Sequence, residues 1–180
     1  LQDESAFIKE LLDAKTQNKA FEALLATYQK PLYNHIRNIV LNHDDADDVL
    51  QNTFVKVFRS LKDFKGESKL FSWIYRIATN EAITFLNAKA KRNGMTSADF
   101  QEKQIENLQA DSYFEGDEIQ LKLQKAIALL PKKQQLVFKM RYFEELKYEE
   151  LSEILGTSVG ALKASYHHAV KKIEEYMIKN

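Results

Sequence analysis

The sequence predicts an all-α protein of two small helical domains joined by a flexible acidic linker. Apolar residues recur at helical spacing along most of the 180-residue chain, and no segment shows sustained strand-like alternation. Residues 93–118 interrupt this pattern with Asn-Gly, Thr-Ser and scattered acids, which is typical of a linker. We therefore predict one domain over 1–92, a linker over 93–118 and a helix-turn-helix domain over 119–180.

Helix boundaries follow from the apolar period and from residues that start or stop helices. Pro31 lies where a first-turn proline is tolerated, so one helix is expected to end before it and another to begin there. Ser68 is expected to cap the helix that follows it. The expected helices span 5–14, 18–29, 31–43, 46–62, 69–92, 118–130, 132–143, 147–155 and 159–178.

Composition bounds the class of protein without deciding its function. With 44% hydrophobic and 29% charged residues, the chain suits a soluble protein with helical cores. It contains no Cys, which excludes disulfides and thiolate metal sites. No apolar run approaches the roughly 20 residues that span a bilayer. The start shows no signal-peptide pattern, so we expect a cytoplasmic protein without membrane insertion.

The formal net charge is zero, but the charges are unevenly distributed. Residues 1–92 carry 14 Lys or Arg against 12 Asp or Glu, and residues 119–180 carry 11 against 7. Residues 93–118 carry 1 against 7, a net charge of −6. Because salt confines each patch to about 10 Å, the two mildly basic blocks are able to attract a polyanion although the whole chain is neutral.

Residues 63–80 hold the most informative pattern, a Gly-containing loop with aromatic and basic residues that leads into a helix. On a helical wheel Trp73, Arg76 and Asn80 lie together, opposite an apolar stripe. Such a face suits stacking on unpaired bases and hydrogen bonding to them. The alternative is a Trp that packs against a neighbouring helix. Glu81 points into the apolar stripe and needs a buried partner or a gap to solvent.

This segment resembles a known family. From residue 44 to residue 80 the sequence is similar to the promoter-melting region of bacterial extracytoplasmic-function (ECF) sigma factors, with Phe-Lys-Gly-Glu-Ser in the loop and Trp-Ile-Tyr-Arg-Ile-Ala-Thr-Asn in the helix. The resemblance implies that this region captures flipped-out bases of the −10 promoter element. The residues it assigns to −10 DNA are Phe64, Lys65, Gly66, Ser72, Trp73, Tyr75, Arg76, Thr79 and Asn80.

The C-terminal block has a signature of its own. A short predicted helix over 148–155 ends at Gly156, where we expect a left-handed cap, and a longer helix follows. This order describes a helix-turn-helix, in which small residues approach base edges and lysines contact phosphates. The alternative is an ordinary helical hairpin with a solvated charged face. The residues expected to contact DNA, which the resemblance described next assigns to the −35 element, are Ser158, Gly160, Ala161, Lys163, Ala164, His167, His168 and Lys171.

Residues 125–176 resemble the −35-recognition domain of the same family, whose helix usually reads Gly-Thr-Val-Lys-Ser-Arg-x-x-Arg-Ala. Lys163 and Ala169 hold their places. Ser165 and His168 replace the usual arginines, and the usual threonine is also absent. Bidentate guanine contacts from those arginines are therefore unavailable, so the −35 sequence is expected to differ from that of a typical family member.

An Asp-rich run at 44–48 admits three interpretations. A Mg²⁺ site is disfavoured because the chain has no second acidic motif. Acids at a helix N-terminus also interact favourably with the helix dipole. The resemblance implies more, namely docking on the clamp helices of the largest RNA polymerase subunits. The contacts it assigns are Asp48, Gln51 and Asn52, with Phe54 and Phe58 anchoring the helix inside.

Every catalytic template is incomplete, so we expect a binding protein that is not an enzyme and needs neither cofactor nor metal. His35 and His43 are expected to be structural or surface residues. The resemblance implies an ECF sigma factor that binds core RNA polymerase, through the clamp helices and the flap of the second-largest subunit, together with promoter DNA. It also implies control by an anti-sigma factor or another recruiter. The alternatives are a free-standing helix-turn-helix regulator and an interaction protein in which one domain only binds a partner.

Two promoter elements about 25 base pairs apart are separated by roughly 85 Å. A compact globule of this length, with a radius of gyration of about 16 Å, does not reach both. The resemblance therefore implies that the linker lets the two domains separate, and that its acidic residues follow a positively charged channel of the polymerase.

Overall fold

The computed structural model describes residues 3–106 and 117–179. Every regular element within these two ranges is helical. The α-helices are α1 (Glu4–Leu12), α2 (Gln17–Val40), α3 (His43–Ser60), α4 (Leu70–Arg92), α5 (Ser97–Glu106), α6 (Glu118–Ala128), α7 (Lys132–Tyr142), α8 (Tyr148–Leu155) and α9 (Val159–Lys179), with a 3-10 turn at Leu61–Asp63 after α3.

Helices α1–α4 form an N-terminal unit around a shared apolar core. The predicted apolar stripe of α4 is confirmed, since Leu70, Ile74 and Ala78 are all buried. Each fully buried Leu or Ile contributes about 1.5–3 kcal/mol. Glu81 interrupts the stripe and pairs with Lys56 of α3, whose Nζ lies 2.5 Å from its Oε1. The Lys56 side chain is 54% exposed and that of Glu81 is 23% exposed, so the carboxylate reaches solvent and an exposed partner instead of a buried one.

Helix α2 runs through Pro31 without a break, so the prediction of two helices there is wrong. An interior proline removes a backbone hydrogen bond and costs about 3 kcal/mol or more. Leu24 and Leu32 lie on the same face, two turns apart and on either side of the proline, and both are fully buried. Burial of this pair and of Ile36 favours one straight apolar stripe over a chain reversal.

Helix α4 begins at Leu70, with Lys69 rather than Ser68 at the N-cap position. The expected Ser68 cap is therefore wrong. The carboxylate of Glu4, on α1, accepts a hydrogen bond from the Leu70 N–H at 3.2 Å. A negative group at this end of a helix also interacts favourably with the helix dipole. A tertiary contact replaces the local cap that the sequence suggested.

The predicted linker contains a helix, α5, that its weak periodicity conceals. Phe100 and Ile105 of α5 are buried where the helix contacts α4 and α6. Thr96 and Asp99 form a reciprocal cap: the Asp99 N–H donates to Thr96 Oγ1 at 3.2 Å, and the Thr96 N–H donates to Asp99 Oδ2 at 3.3 Å. The Thr-x-x-Asp pattern is the sequence signal for this helix. Residues 107–116 of the predicted linker lie outside the described residues.

Helices α6–α9 form a C-terminal unit with a second core built around Ile127, Phe138 and Ile173. Helix α8 ends at Leu155, and Gly156 follows in the left-handed region at φ 63° and ψ 32°. The predicted glycine cap is confirmed. Because L-residues with a Cβ are strained in that region, glycine is the residue best suited to this turn. Helix α9 then buries Leu162 and Ala169 on one face.

The two units pack directly against each other. Helix α8 contacts α4, and α7 contacts α2. Met140 and Leu151 of the C-terminal unit are fully buried in the same apolar cluster as Leu32 and Ile74 of the N-terminal unit. We call this boundary, where α2 and α4 meet α7 and α8, the inter-unit interface.

Candidate nucleic-acid and polymerase interfaces

The loop before α4 holds three of the residues expected to contact −10 DNA. Lys65 and Gly66 are exposed, and Gly66 has φ 72°, which a residue with a side chain rarely adopts. Phe64 is 8% exposed, because its ring packs on Trp73 with 5.0 Å between ring centroids. The loop therefore presents a basic turn, backed by an aromatic pair.

The face of α4 predicted to contact bases is assembled as expected. Arg76 and Asn80 are exposed on one side of the helix, and Trp73 is half-buried beside them. Ser72 is buried, and its hydroxyl has no hydrogen-bond partner among the described residues. The Arg76 guanidinium donates to the backbone carbonyl of Glu153 in α8. The helix-turn-helix thus lies directly against this face.

Tyr75 and Thr79 are buried at the inter-unit interface, next to His35 of α2. The centroids of the His35 and Tyr75 rings lie 4.9 Å apart. Thr79 Oγ1 donates to the Tyr75 carbonyl at 2.7 Å and lies 2.8 Å from His35 Nε2. Its single hydroxyl proton is used in the first bond, so it accepts the second from His35.

The other nitrogen of His35 faces the C-terminal unit. His35 Nδ1 lies 2.9 Å from Glu144 Oε2, which belongs to the C-terminal unit. This side-chain hydrogen bond therefore links the two units directly. Burial, and after it the negative charge of Glu144, raise the pKa of Tyr75 above its ordinary value.

His35 and Glu144 are functional candidates that sequence reasoning missed. His35 was expected to be a structural or surface residue, and it is completely buried between the units. The two residues are 109 positions apart, so no local pattern in the sequence connects them. Only the packing of the C-terminal unit brings them together.

The eight residues expected to contact −35 DNA are all exposed, Ser158 directly before α9 and the other seven on the helix itself. The Ser158 hydroxyl accepts a hydrogen bond from the Ala161 N–H at 3.3 Å and so caps the helix. The Lys163 ammonium lies 5.7 Å from the centre of the Tyr148 ring, which holds it beside the exposed face. His167 and His168 are exposed, with 5.9 Å between ring centroids.

The patch on α3 expected to contact the polymerase is exposed as predicted, at Asp48, Gln51 and Asn52. Val55 and Phe58 continue the same side of the helix and are 48% and 41% exposed. The expectation that Phe58 anchors the helix inside is therefore wrong. Its ring touches Phe21 edge-on, with centroids 4.9 Å apart, so this contact holds the ring at the surface.

The Asp-rich run is not arranged as a metal site. Asp45 is turned inward and pairs with Lys89 of α4, with 2.5 Å between Nζ and Oδ1. No group of three side chains suited to holding a metal occurs within 3–106 or 117–179. None of the helices in the described part of the chain is both long and apolar enough to cross a membrane.

Comparison with known proteins identifies the two units. The family model described as Sigma-70 region 2 matches residues 24–92, and that described as Sigma-70, region 4 matches residues 120–173. An ECF RNA polymerase sigma-E factor from Haemophilus influenzae is 30% identical over 166 residues, which cover 87% of this chain and 86% of that protein. The chain belongs to the ECF family of RNA polymerase sigma factors.

Other relatives agree with this assignment. An RNA polymerase sigma-H factor from Pseudomonas aeruginosa is 28% identical over 167 residues, covering 87% of this chain and 86% of that protein. The solved structure of CnrH in complex with the cytosolic domain of CnrY matches the fold with a TM-score of 0.70 at 19% identity, over 99% of this chain and 98% of that one. In the chain described here, the region 2 match contains α3 and α4, and the region 4 match contains the helix-turn-helix formed by α8 and most of α9.

Proposed function

We propose that this ECF sigma factor binds core RNA polymerase, recognises the −35 and −10 promoter elements and nucleates promoter melting. The observation that carries the proposal is the presence of both sigma regions on one chain, each with an exposed polar surface. Bond formation belongs to the polymerase, so the sigma factor itself is not an enzyme, and it acts in the cytoplasm where the polymerase is. A free-standing helix-turn-helix regulator would leave the match over residues 24–92 without a role.

We assign core polymerase binding to the exposed side of α3. Asp48, Gln51 and Asn52 supply polar contacts to the clamp helices of the largest subunit, and the exposed side chains of Val55 and Phe58 supply an apolar centre next to them. An apolar centre with a polar rim is the usual anatomy of a protein interface. The flap of the second-largest subunit would bind the C-terminal unit.

We assign capture of the −10 element to the loop 64–68 and to α4. Trp73 supplies aromatic surface backed by the buried ring of Phe64, and each stacked base contributes about 1–3 kcal/mol. Asn80 is exposed for hydrogen bonds to a flipped base, and Arg76 becomes available to one when its hydrogen bond to the Glu153 carbonyl is released. Tyr75 and Thr79 are covered in the packed arrangement, so the C-terminal unit moves away from α4 before they contact DNA.

We assign −35 recognition to α9. Gly160, Ala161 and Ala164 allow the helix to approach base edges closely, while Lys163 and Lys171 attract phosphates. Ser158 acts as the cap that positions the first turn. The sigma factor RpoE from Bartonella quintana, solved in complex with the anti-sigma factor NepR, has a similar fold, with a TM-score of 0.65 at 19% identity over 88% of this chain and 97% of that one. An anti-sigma factor or another recruiter is therefore proposed to control release of this chain to the polymerase.

Run-off transcription with purified core polymerase tests the proposal. We expect transcripts from a cognate promoter only when the chain is present. A matched control is a chain limited to residues 117–180, which keeps the helix-turn-helix and lacks region 2. Transcription that is equal with and without the full chain would contradict the proposal, whereas duplex binding without transcription would favour the regulator.

A further inference from the structure

A cavity of about 170 Å³ lies at the inter-unit interface, beside the contact between α2 and α7. Its wall is largely apolar and comes from α2, α4, α5 and α7, so both units and the linker helix contribute to it. Ile39, Ile83, Leu86, Phe100 and Leu136 supply the apolar surface. A cavity of this size accommodates a group as large as benzene, since one of about 150 Å³ does so in another protein.

Lys139 lines this cavity and is only 4% exposed. Its ammonium donates one hydrogen bond, to the carbonyl oxygen of Asn38 near the end of α2, at 2.8 Å. No other acceptor and no carboxylate partner occurs for it within the described residues. Buried charges are normally paired, so two of its three donors stay available to a ligand in the cavity.

The other polar groups of the cavity are already satisfied or basic, and Asn87, which also lines it, has a partner of its own. The Gln135 amide donates to the carbonyls of Ala128 and Leu130 and accepts from Gln101. Lys132 and Lys133 are exposed at the start of α7, whose first turn holds no acidic residue. Lysines at this end of a helix add to the positive end of its dipole instead of compensating it. The lining residues therefore carry positive charge and no negative charge.

We propose that this cavity binds a small amphiphilic monocarboxylate, with its apolar tail against the walls from both units and its carboxylate at Lys139. Burial lowers the pKa of Lys139 to about 8, so the amine is still mostly protonated at pH 7 and able to pair with the ligand. Because the ligand contacts both units at once, its binding stabilises their packed arrangement.

Sodium octanoate and 1-octanol are suitable probes, because they share a tail length and differ in charge. Each is titrated into the full chain at pH 7 and fixed salt, and binding is measured by calorimetry and by amide chemical shifts. We expect saturable octanoate binding that perturbs α4 and α7. In the Lys139→Met variant, octanoate affinity falls at least tenfold and octanol affinity changes less than twofold, because Met keeps the apolar length and removes the charge.

Two further variants keep the test decisive. Ile83→Trp fills the cavity from a partly exposed position and is expected to abolish binding of both probes, even if Lys139→Met does not fold. Lys125→Met removes an exposed lysine of α6 away from the cavity and is expected to change neither affinity. The proposal is wrong if octanoate does not saturate, or if Lys139→Met leaves its affinity unchanged. Because no polymerase is present, this outcome is independent of the proposed function.

Discussion

The charge on Lys139 opposes folding, because the folded chain buries it away from water. Its side chain is buried without a carboxylate, and burial lowers its pKa from 10.5 to about 8. Between those two values the unfolded chain holds the proton and the folded chain does not, so the free energy of unfolding increases as pH rises. Below pH 8 the amine is charged in both states, and the cost of burying the charge is present in full.

We therefore predict that raising the pH from 7.5 to 9.5 stabilises the wild type relative to Lys139→Met by about 2 kcal/mol. Urea unfolding of both chains at both pH values measures this difference. Subtracting the change in the variant from the change in the wild type removes the contribution of every other titrating group. If the free energies of unfolding of the two chains changed equally with pH, folding would not lower the pKa of Lys139.

Replacing Asn80 tests base recognition without disturbing the fold. It is exposed on α4, so Asn80→Ala is expected to change the free energy of unfolding by less than about 0.5 kcal/mol. Losing hydrogen bonds to a flipped base should nevertheless reduce open-complex formation several-fold, because an unpaired base edge costs about 1–3 kcal/mol. Permanganate reactivity of promoter thymines measures the effect.

Thr84→Ala is the matched control, since Thr84 is also exposed and lies one turn further along α4. It should melt the promoter like the wild type. Equal permanganate reactivity for Asn80→Ala and Thr84→Ala would show that Asn80 does not contact the −10 element.

At the scale of helices, α3 offers a comparison between two exposed surfaces. Replacing Asp48 and Gln51 together by Ala should weaken core polymerase binding at least tenfold and leave thermal stability unchanged, because neither side chain packs on the core. The matched control replaces Glu22 and Gln29, an exposed acid and amide on α2. Affinity for fluorescently labelled core polymerase is the measurement, and an equal loss in both double variants would contradict the assignment.

Helix α9 presents two exposed histidine rings on the side assigned to −35 DNA. We predict that the double variant His167→Ala, His168→Ala binds a −35 duplex more weakly than the wild type at constant pH and salt, because polar side chains on this face contact bases and phosphates. Equal affinity of the two proteins for the duplex would show that the two rings do not face the DNA.

The helices show which features the sequence determines locally. The glycine cap at Gly156, the buried stripe of α4 and the exposed side of α9 were predicted because each depends on residues within two or three turns. The break at Pro31 and the Ser68 cap were predicted wrongly because distant packing, through Leu32 and Glu4, outweighs the local preference. The contact between His35 and Glu144 could not be predicted from the sequence for the same reason, since only tertiary packing brings the two residues together.

On the scale of the whole molecule, the packed arrangement conflicts with simultaneous contact to both promoter elements. Elements about 25 base pairs apart are separated by roughly 85 Å, several times the radius of a compact chain of this length. The packed arrangement also buries Tyr75 and Thr79, and it engages Arg76 with the backbone of Glu153. Binding of polymerase must therefore supply the free energy that separates α8 from α4.

Energy transfer between two dyes tests this separation, and the absence of native Cys makes site-specific labelling simple. We predict high transfer for dyes at Glu22→Cys and Glu174→Cys, one exposed site in each unit, and a large decrease when core polymerase is added. Dyes at Glu22→Cys and Lys62→Cys, both within the N-terminal unit, should show no change. Glu144→Ala removes the hydrogen-bond partner of His35 Nδ1 and should lower transfer even without polymerase, because the buried His35 ring then loses its hydrogen bond across the interface. High transfer that persists in the polymerase complex would show that the two units read the promoter without separating.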